Sequence, residues 1–255
     1  MEPRSQTSAL LEPLPVPVDE LYRMSPETYQ GMVEHGLLNS NGQEKVELVD
    51  GLLVVEGTST DPIDRLYRIP LSVYHEIAEI GLLGPSDKVV MLDGILVKKM
   101  GRDNPHITVT LLVVEALREI VSKGWHIRSE APVALSSGPI GRPSVPDPDV
   151  TVARGAIRDY FNRTPTPADT ALVIEVANSS LRKDRLGLAR YSWVNIPIVW
   201  IVNLNEETVE VYAQPTGPAS PAKYQEMTTY GRDDEIPVVL DGQEVGKVAL
   251  KDLLP

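Results

Sequence analysis

Two short apolar segments separated by a polar stretch most constrain the fold of this chain. Residues 171–176 and 198–202 are nearly continuous runs of aliphatic residues, the pattern of strands that are buried on both faces. Between them, Asn178 or Ser179 can cap a helix that runs to about Trp193. Two buried strands that flank a helix predict a βαβ unit within a mixed sheet. We therefore predict an α/β or α+β domain, with a mixed sheet flanked by helices on both faces.

An internal repeat organises the first part of the chain. Residues 21–51 recur as residues 66–94, and both copies contain Leu-Tyr-Arg, Gly-Leu-Leu and Asp-Gly in the same order. Each copy is typical of a helix that glycine ends, followed by two strands joined by an Asp-Gly turn. We predict an extra helix–hairpin copy at residues 21–56 and a main domain at residues 66–255. The proline-rich residues 1–20 are predicted to form a mobile tail.

Composition excludes several classes of protein. The chain has no cysteine, which excludes a disulfide scaffold, a zinc ribbon, an iron–sulfur cluster and a cysteine nucleophile. A net charge of −12 excludes a globally basic nucleic-acid binder, although a local basic groove stays open. We find no apolar run long enough to span a membrane and no secretory signal. We therefore expect a cytoplasmic protein.

Two acidic residues on predicted neighbouring strands are candidate metal ligands. Glu175 lies inside an apolar strand, where a carboxylate is costly unless it is paired, protonated or bound to metal. Asp149 opens another predicted strand, directly after Pro148. Taken alone, Glu175 could instead bond an amide or an arginine, and Asp149 could be a turn residue. Together they offer the oxygen ligands that Mg²⁺ or Mn²⁺ prefers, and such a metal can activate water against a phosphate.

Several separated motifs together resemble one family. They are Pro148-Asp149-Val150, Val173-Ile174-Glu175-Val176, Ser179-Ser180, Asp184, Tyr191 and the segment 196–202, with Asp93-Gly94 and Asn104-Pro105-His106 upstream. In order and spacing, residues 66–212 resemble the Uma-type restriction endonuclease family, which has a PD-(D/E)XK nuclease-like core. The resemblance implies a restriction-endonuclease-like mixed sheet with an acidic cluster at one end. It also implies metal-dependent hydrolysis of phosphodiester bonds.

The resemblance assigns roles to particular residues. Asp149 and Glu175 would bind Mg²⁺ or Mn²⁺. His106, near the start of a helix, would face the same site and orient water or contact phosphate, unless it only bonds the backbone at the start of the helix. Catalysis also needs a cation that orients the nucleophile or stabilises the developing charge. Lys183 and Arg190 share a helical face and are candidates for that cation, although both could be solvated surface residues.

Three positions depart from the family pattern. The nuclease signature has a lysine two residues after the glutamate, where this chain has Ala177. Uma-type members carry a lysine on the following helix, where this chain has Leu188. A glutamate usual in the hairpin is replaced by Val90, while the upstream copy keeps Glu47. Glu47 either docks at the site or is an exposed residue of an appended module, and we favour the second interpretation.

We predict a Mg²⁺-dependent DNA endonuclease that is impaired by the missing lysine. The alternative is a catalytically degenerate nuclease fold that serves in binding or assembly, and a third reading is hydrolysis of a small phosphate ester. Lys98, Lys99 and Arg102 could approach DNA phosphates, or they could form a solvated rim. A homodimer would supply the two sites that cleavage of both DNA strands needs.

Overall fold

The structure is a computed structural model that describes residues 16–38, 45–99 and 101–255. The chain divides into two compact units, one of Met1–Val89 with Ile95–Lys98 and the other of Val90–Gly94 with Lys99–Pro255. The domain limits drawn from the sequence stay predictions. Most of the predicted tail, residues 1–15, lies outside the described residues. The rest of it includes one turn of 3-10 helix at Val18–Glu20 and the buried Val16.

Both copies of the repeat fold into the predicted elements. The first copy contains helix α1 (Pro26–Glu34) and strands β1 (Val46–Val49) and β2 (Leu52–Val55). The second contains helix α2 (Leu71–Glu79) and strands β3 (Val89–Leu92) and β4 (Ile95–Lys98). In both copies the Asp and Gly of the turn have positive φ, which glycine and aspartate tolerate best. The duplicated helix–hairpin is therefore confirmed.

The second unit is built on a six-stranded mixed sheet. In chain order the strands are β5 (Trp125–Ser129), β6 (Val150–Arg154), β7 (Thr170–Ala177), β8 (Ile198–Asn203), β9 (Thr208–Pro215) and β10 (Tyr224–Tyr230). Their order in the sheet is β10-β9-β8-β7-β6-β5. Strands β7 and β8 run parallel, and the other neighbouring pairs are antiparallel.

Helices and a hairpin complete this unit. Helix α3 (Asn104–Arg118) precedes the sheet, and helix α4 (Leu181–Trp193) connects the parallel strands β7 and β8. A hairpin of β11 (Glu235–Leu240) and β12 (Gln243–Ala249) follows. The predicted βαβ unit and the mixed sheet flanked by helices are confirmed. Among the helices of the described residues, none is both long and apolar enough to cross a membrane.

The side chains of β7 alternate between two apolar clusters. Leu172, Ile174 and Val176 pack in the larger cluster, with residues of α3 and of the β11–β12 hairpin. Val173 packs in a smaller cluster with Tyr191 of α4. Because side chains two residues apart on a strand share a face, Glu175 lies on the α4 side of the sheet with Val173. Strand β7 and helix α4 thereby position the polar residues described next.

Candidate active site

Asp149 is the centre of a polar cluster at one end of the sheet. It lies directly before β6, and only 6% of its surface is exposed. Its Oδ1 accepts hydrogen bonds from Nε and Nη2 of Arg102, at 3.2 and 3.0 Å. Its Oδ2 accepts one from the backbone N–H of Val176, at 2.8 Å, and lies 3.1 Å from Nε2 of His106. Both carboxylate oxygens therefore have protein partners.

Glu175 lies beside Asp149 because β6 and β7 pair with Val150 opposite Ile174. The backbone N–H of Asp149 donates to Oε2 of Glu175 at 3.3 Å, and the Tyr191 hydroxyl donates to Oε1 at 2.7 Å. Burial raises the pKa of Glu175 well above its usual value, and the negative charges of neighbouring carboxylates raise it further. The two hydrogen bonds offset only part of this increase, so the pKa of Glu175 stays well above its usual value.

Helix α4 brings a third carboxylate, Asp184, to the cluster. The pKa of Asp184 is raised to about 6. Burial is the main cause, the hydrogen bond from Ser180 acts in the opposite direction, and the negative charge of Asp149 adds to the increase. Ser180, rather than the predicted Asn178 or Ser179, is the residue that precedes the helix. Its hydroxyl makes no cap hydrogen bond and donates instead to Oδ2 of Asp184, at 2.6 Å. The sequence motifs included Asp184 without giving it a role.

His106 reaches Asp149 from the first turn of α3. Asp103 caps this helix by accepting a hydrogen bond from the backbone N–H of His106, at 3.1 Å. The hydrogen bond with Asp149 raises the pKa of His106, and burial opposes that increase. Its Nδ1 is buried and has no hydrogen-bond partner among the described residues. The structure thus brings together His106, Asp149 and Glu175, three of the residues singled out in the sequence.

The two candidate cations of α4 lie in different surroundings. Lys183 is exposed in the first turn of the helix, and its positive charge acts against the increase that burial causes in the pKa of Asp184. Arg190 is not a surface residue, because its Nε and Nη2 donate to Oδ2 of Asp93 at 2.9 and 2.7 Å in a buried ion pair. Leu188 is partly buried against the cluster that contains Tyr191. The structure therefore commits Arg190 to a turn of the second hairpin and places an apolar group where the family resemblance implies a lysine.

Arg102 is the basic residue in direct contact with the acidic cluster. Besides its two bonds to Asp149, its Nη1 forms an ion pair with Oε2 of Glu130, at 2.9 Å. Its neighbour Lys99 pairs with Asp147. Sequence reasoning grouped Arg102 and Lys99 with residues that could contact DNA phosphates and missed these acidic partners. Arg102 and Asp149 are 47 residues apart, and no local pattern in the sequence links them.

The cluster contains oxygen donors that suit a divalent metal ion, but these side chains are not arranged as a metal site. In the described part of the chain, no group of three or more His, Asp or Glu side chains is arranged to hold a metal ion. Asp149 and Glu175 nevertheless offer the oxygen ligands that hard cations take. Burial is the main cause of the raised pKa values of Glu175 and Asp184, and a cation there would neutralise the neighbouring negative charge that raises them further. Since the oxygens of Asp149 are already hydrogen-bonded, a cation could use them only if Arg102 or His106 gave way.

Comparison with known proteins identifies the family. A profile of the Uma2 family, described as "Putative restriction endonuclease", matches residues 71–247, which is more than half of the chain. The chain belongs to the Uma2 family. The matched range contains every residue of the acidic cluster, and the family resemblance seen in the sequence is confirmed.

Two further comparisons are less informative. No curated protein matches the chain. Among solved structures, the chain is similar to a protein from Anabaena variabilis ATCC 29413, described as "a putative nuclease belonging to DUF820". The two share 18% sequence identity with a TM-score of 0.48, and the alignment covers 72% of this chain and 97% of the other.

Proposed function

We propose that this protein is a metal-dependent DNA endonuclease that hydrolyses phosphodiester bonds at the cluster around Asp149. The observation that carries this proposal is the pair of hydrogen bonds at the end of β6 and β7, in a chain of a restriction endonuclease family. The N–H of Asp149 donates to the Glu175 carboxyl and the N–H of Val176 donates to the Asp149 carboxyl, with Asp184 nearby. These carboxylates form an oxygen-rich, negatively charged end of the sheet. Such a donor set suits Mg²⁺ or Mn²⁺.

Asp149 and Glu175 would be the metal ligands. A divalent cation held there would polarise a phosphoryl oxygen and lower the pKa of its bound water. Glu175 has a raised pKa, so it would release its proton as the cation binds, and binding would strengthen as the pH rises. Tyr191 would keep the Glu175 carboxyl oriented through its hydrogen bond to Oε1.

His106 and Lys183 would act on the substrate side of the cluster. When Nε2 of His106 donates to Asp149, the unpartnered Nδ1 is left to accept a proton or a hydrogen bond from water. Lys183 is exposed, and its positive charge opposes the increase in the pKa of Asp184. From that place it would attract the phosphate backbone of DNA, which binds mainly through such charges.

Metal binding and DNA cleavage test the proposal together. We would titrate Mg²⁺ and Mn²⁺ calorimetrically into the parent protein and into Asp149→Asn and Glu175→Gln, and follow nicking of supercoiled DNA. The parent should bind metal and cleave, and each variant should lose both activities. Glu115→Gln removes an exposed carboxylate of α3 and should behave as the parent does. Cleavage that persists in Asp149→Asn would refute the proposal, as would a parent that binds no metal at millimolar concentration.

A degenerate nuclease fold that binds or assembles is the second candidate. It is favoured by Leu188, which packs against an apolar cluster where the resemblance implies a lysine, and by Ala177 at the other lysine position. It predicts that the protein binds DNA or a protein partner with no cleavage under any metal. Metal binding without nicking across Mg²⁺ and Mn²⁺ would favour this candidate over the first.

A further inference from the structure

Arg102 lies on Oδ1, one of the two oxygens of Asp149 that a bound cation could use. Its guanidinium donates twice to Oδ1 of Asp149 and pairs through Nη1 with Glu130. Glu130 is itself held close, because its backbone N–H donates to the carbonyl oxygen of Asp149, at 3.0 Å. The guanidinium therefore bridges a buried carboxylate and a more exposed one.

We propose that Arg102 is a mobile cation of the active site, which shields Asp149 in the metal-free protein and contacts the DNA phosphate once a divalent cation has taken Oδ1. This inference rests on the proposed nuclease function. It assigns to Arg102 the positive charge that the family pattern would place on a lysine. Its two halves, competition for Asp149 and contact with phosphate, are tested separately.

The charges of the cluster explain why a shield is needed. Asp149, Glu175 and Asp184 are three carboxylates with mutually unfavourable charges. Charge-assisted hydrogen bonds, such as the two that end on Oδ1 of Asp149, are about twice as strong as those between neutral groups. Arg102 thus compensates the charge of Asp149 without any metal. A divalent cation carries twice the charge of Arg102, and in this proposal it competes with Arg102 for the same oxygen.

The position of Arg102 allows it to leave without disturbing the core. It precedes Asp103, the cap of α3, and therefore stands outside the helix. About a quarter of its side chain is exposed, and Glu130 is more exposed still. The ion pair with Glu130 would keep the guanidinium near the site after it leaves Asp149. A planar guanidinium with paired N–H donors then matches the geometry of a phosphate.

The other basic residues considered for this role have different surroundings. Arg190 is bound to Asp93, and positions 177 and 188 carry Ala and Leu. Lys183 is exposed on α4 and acts on Asp184 through its charge. In the described part of the chain, Arg102 is the Lys or Arg side chain that hydrogen-bonds to Asp149. A metal ion at Oδ1 would therefore have to break this contact.

Manganese affinity tests the competition. We would titrate Mn²⁺ calorimetrically into the parent protein, Arg102→Gln and Lys99→Gln. Loss of a charge-assisted hydrogen-bonded competitor should tighten Mn²⁺ binding by Arg102→Gln about tenfold. Lys99→Gln removes the same charge three residues away, where its partner is Asp147, and should change the affinity less than about twofold.

The outcomes separate this inference from the proposed function. A parent that binds Mn²⁺ while Arg102→Gln binds it no more tightly would overturn the inference and leave the nuclease proposal standing. Binding by Arg102→Gln alone would support the competition at Asp149 and overturn the proposed function of the parent protein, whose site Arg102 would then block. No binding by either protein would overturn both together.

Single-turnover cleavage tests the contact with phosphate. At saturating Mn²⁺, Arg102→Gln should cleave about 100-fold more slowly than the parent although it binds metal more tightly, and Arg102→Lys should recover part of the rate. Thermal melting of both variants would verify that they fold. Cleavage by Arg102→Gln at the parental rate would overturn the assignment of Arg102 to the phosphate.

Discussion

The buried ion pair of Asp93 and Arg190 gives a sharp prediction about stability. The Asp93 side chain is 4% exposed and the Arg190 side chain 13%, so neither charge is well solvated. The backbone N–H of Asp93 also donates to Ser144 Oγ at 2.8 Å, which holds the turn in place. Replacing Arg190 with Met removes the guanidinium and leaves a buried carboxylate without that partner.

The expected loss is large. Breaking a buried pair by removing one partner costs about 3 to 5 kcal/mol, because the remaining charge stays buried. For a unit of this size, about 3 kcal/mol corresponds to a fall of about 6 to 12 °C in melting temperature. Adding Asp93→Asn to Arg190→Met removes the unpaired negative charge of Asp93 and should recover part of the lost melting temperature. Asparagine also tolerates the positive φ of position 93.

Differential scanning calorimetry at pH 7.5 would measure these changes. Arg232→Met is the matched control, because Arg232 and Glu207 form an ion pair of the same 2.7 Å length with both side chains about half exposed. It should change the free energy of unfolding by less than about 1 kcal/mol. If Arg190→Met melts within about 2 °C of the parent, or if the double variant is less stable than Arg190→Met, the reasoning is refuted.

Two further predictions concern helix α4. Because the folded-state pKa of Asp184 is raised to about 6, its contribution to stability is fully present below pH 4 and is lost as the pH rises to about 6. Asp184→Asn should therefore raise the melting temperature of the metal-free protein at pH 7, by about 4 °C after allowance for partial exposure, and leave it nearly unchanged at pH 4. Equal effects at both pH values would contradict this. Leu188→Lys restores a lysine one turn after Asp184, so we expect faster cleavage at saturating metal, about tenfold, together with a lower melting temperature from lost packing. Unchanged cleavage with metal binding intact would show that the residue at position 188 does not limit the rate of the proposed reaction.

Sequence reasoning reached the elements that local pattern determines. The apolar runs of β7 and β8 predicted a parallel pair joined by a helix, because strands buried on both faces have few polar residues. The exception in β7, Glu175, is conspicuous for the same reason, and Asp149 stands out as an acidic residue that opens a predicted strand after Pro148. The resemblance to a known family adds His106. All three side chains lie in the polar cluster at the end of the sheet.

Long-range pairing lay beyond that reasoning. Arg190 and Asp93 are 97 residues apart, and their ion pair depends on how a turn packs against α4. From the sequence alone, Arg190 is either a surface residue or a replacement for the family lysine. In the structure its side chain is 13% exposed and is paired with Asp93. Arg102 was similarly grouped with nearby basic residues, because its acidic partners come from distant segments. The partner of a charged side chain can therefore be identified only from the folded structure.

The hydrogen bonds between β6 and β7 give the carboxylates of the candidate site a structural role that would preserve them. Beyond Val150 and Ile174, the ladder is continued by carboxylates: the N–H of Asp149 donates to the Glu175 side chain, and the N–H of Val176 donates to the Asp149 side chain. A shift of one residue between these strands would turn Glu175 to the opposite face and break both bonds. The carboxylates of Asp149 and Glu175 thus also accept the last hydrogen bonds between the ends of β6 and β7. Their loss would fray the strand ends, so selection for a stable fold would preserve these carboxylates whether or not the protein cleaves DNA.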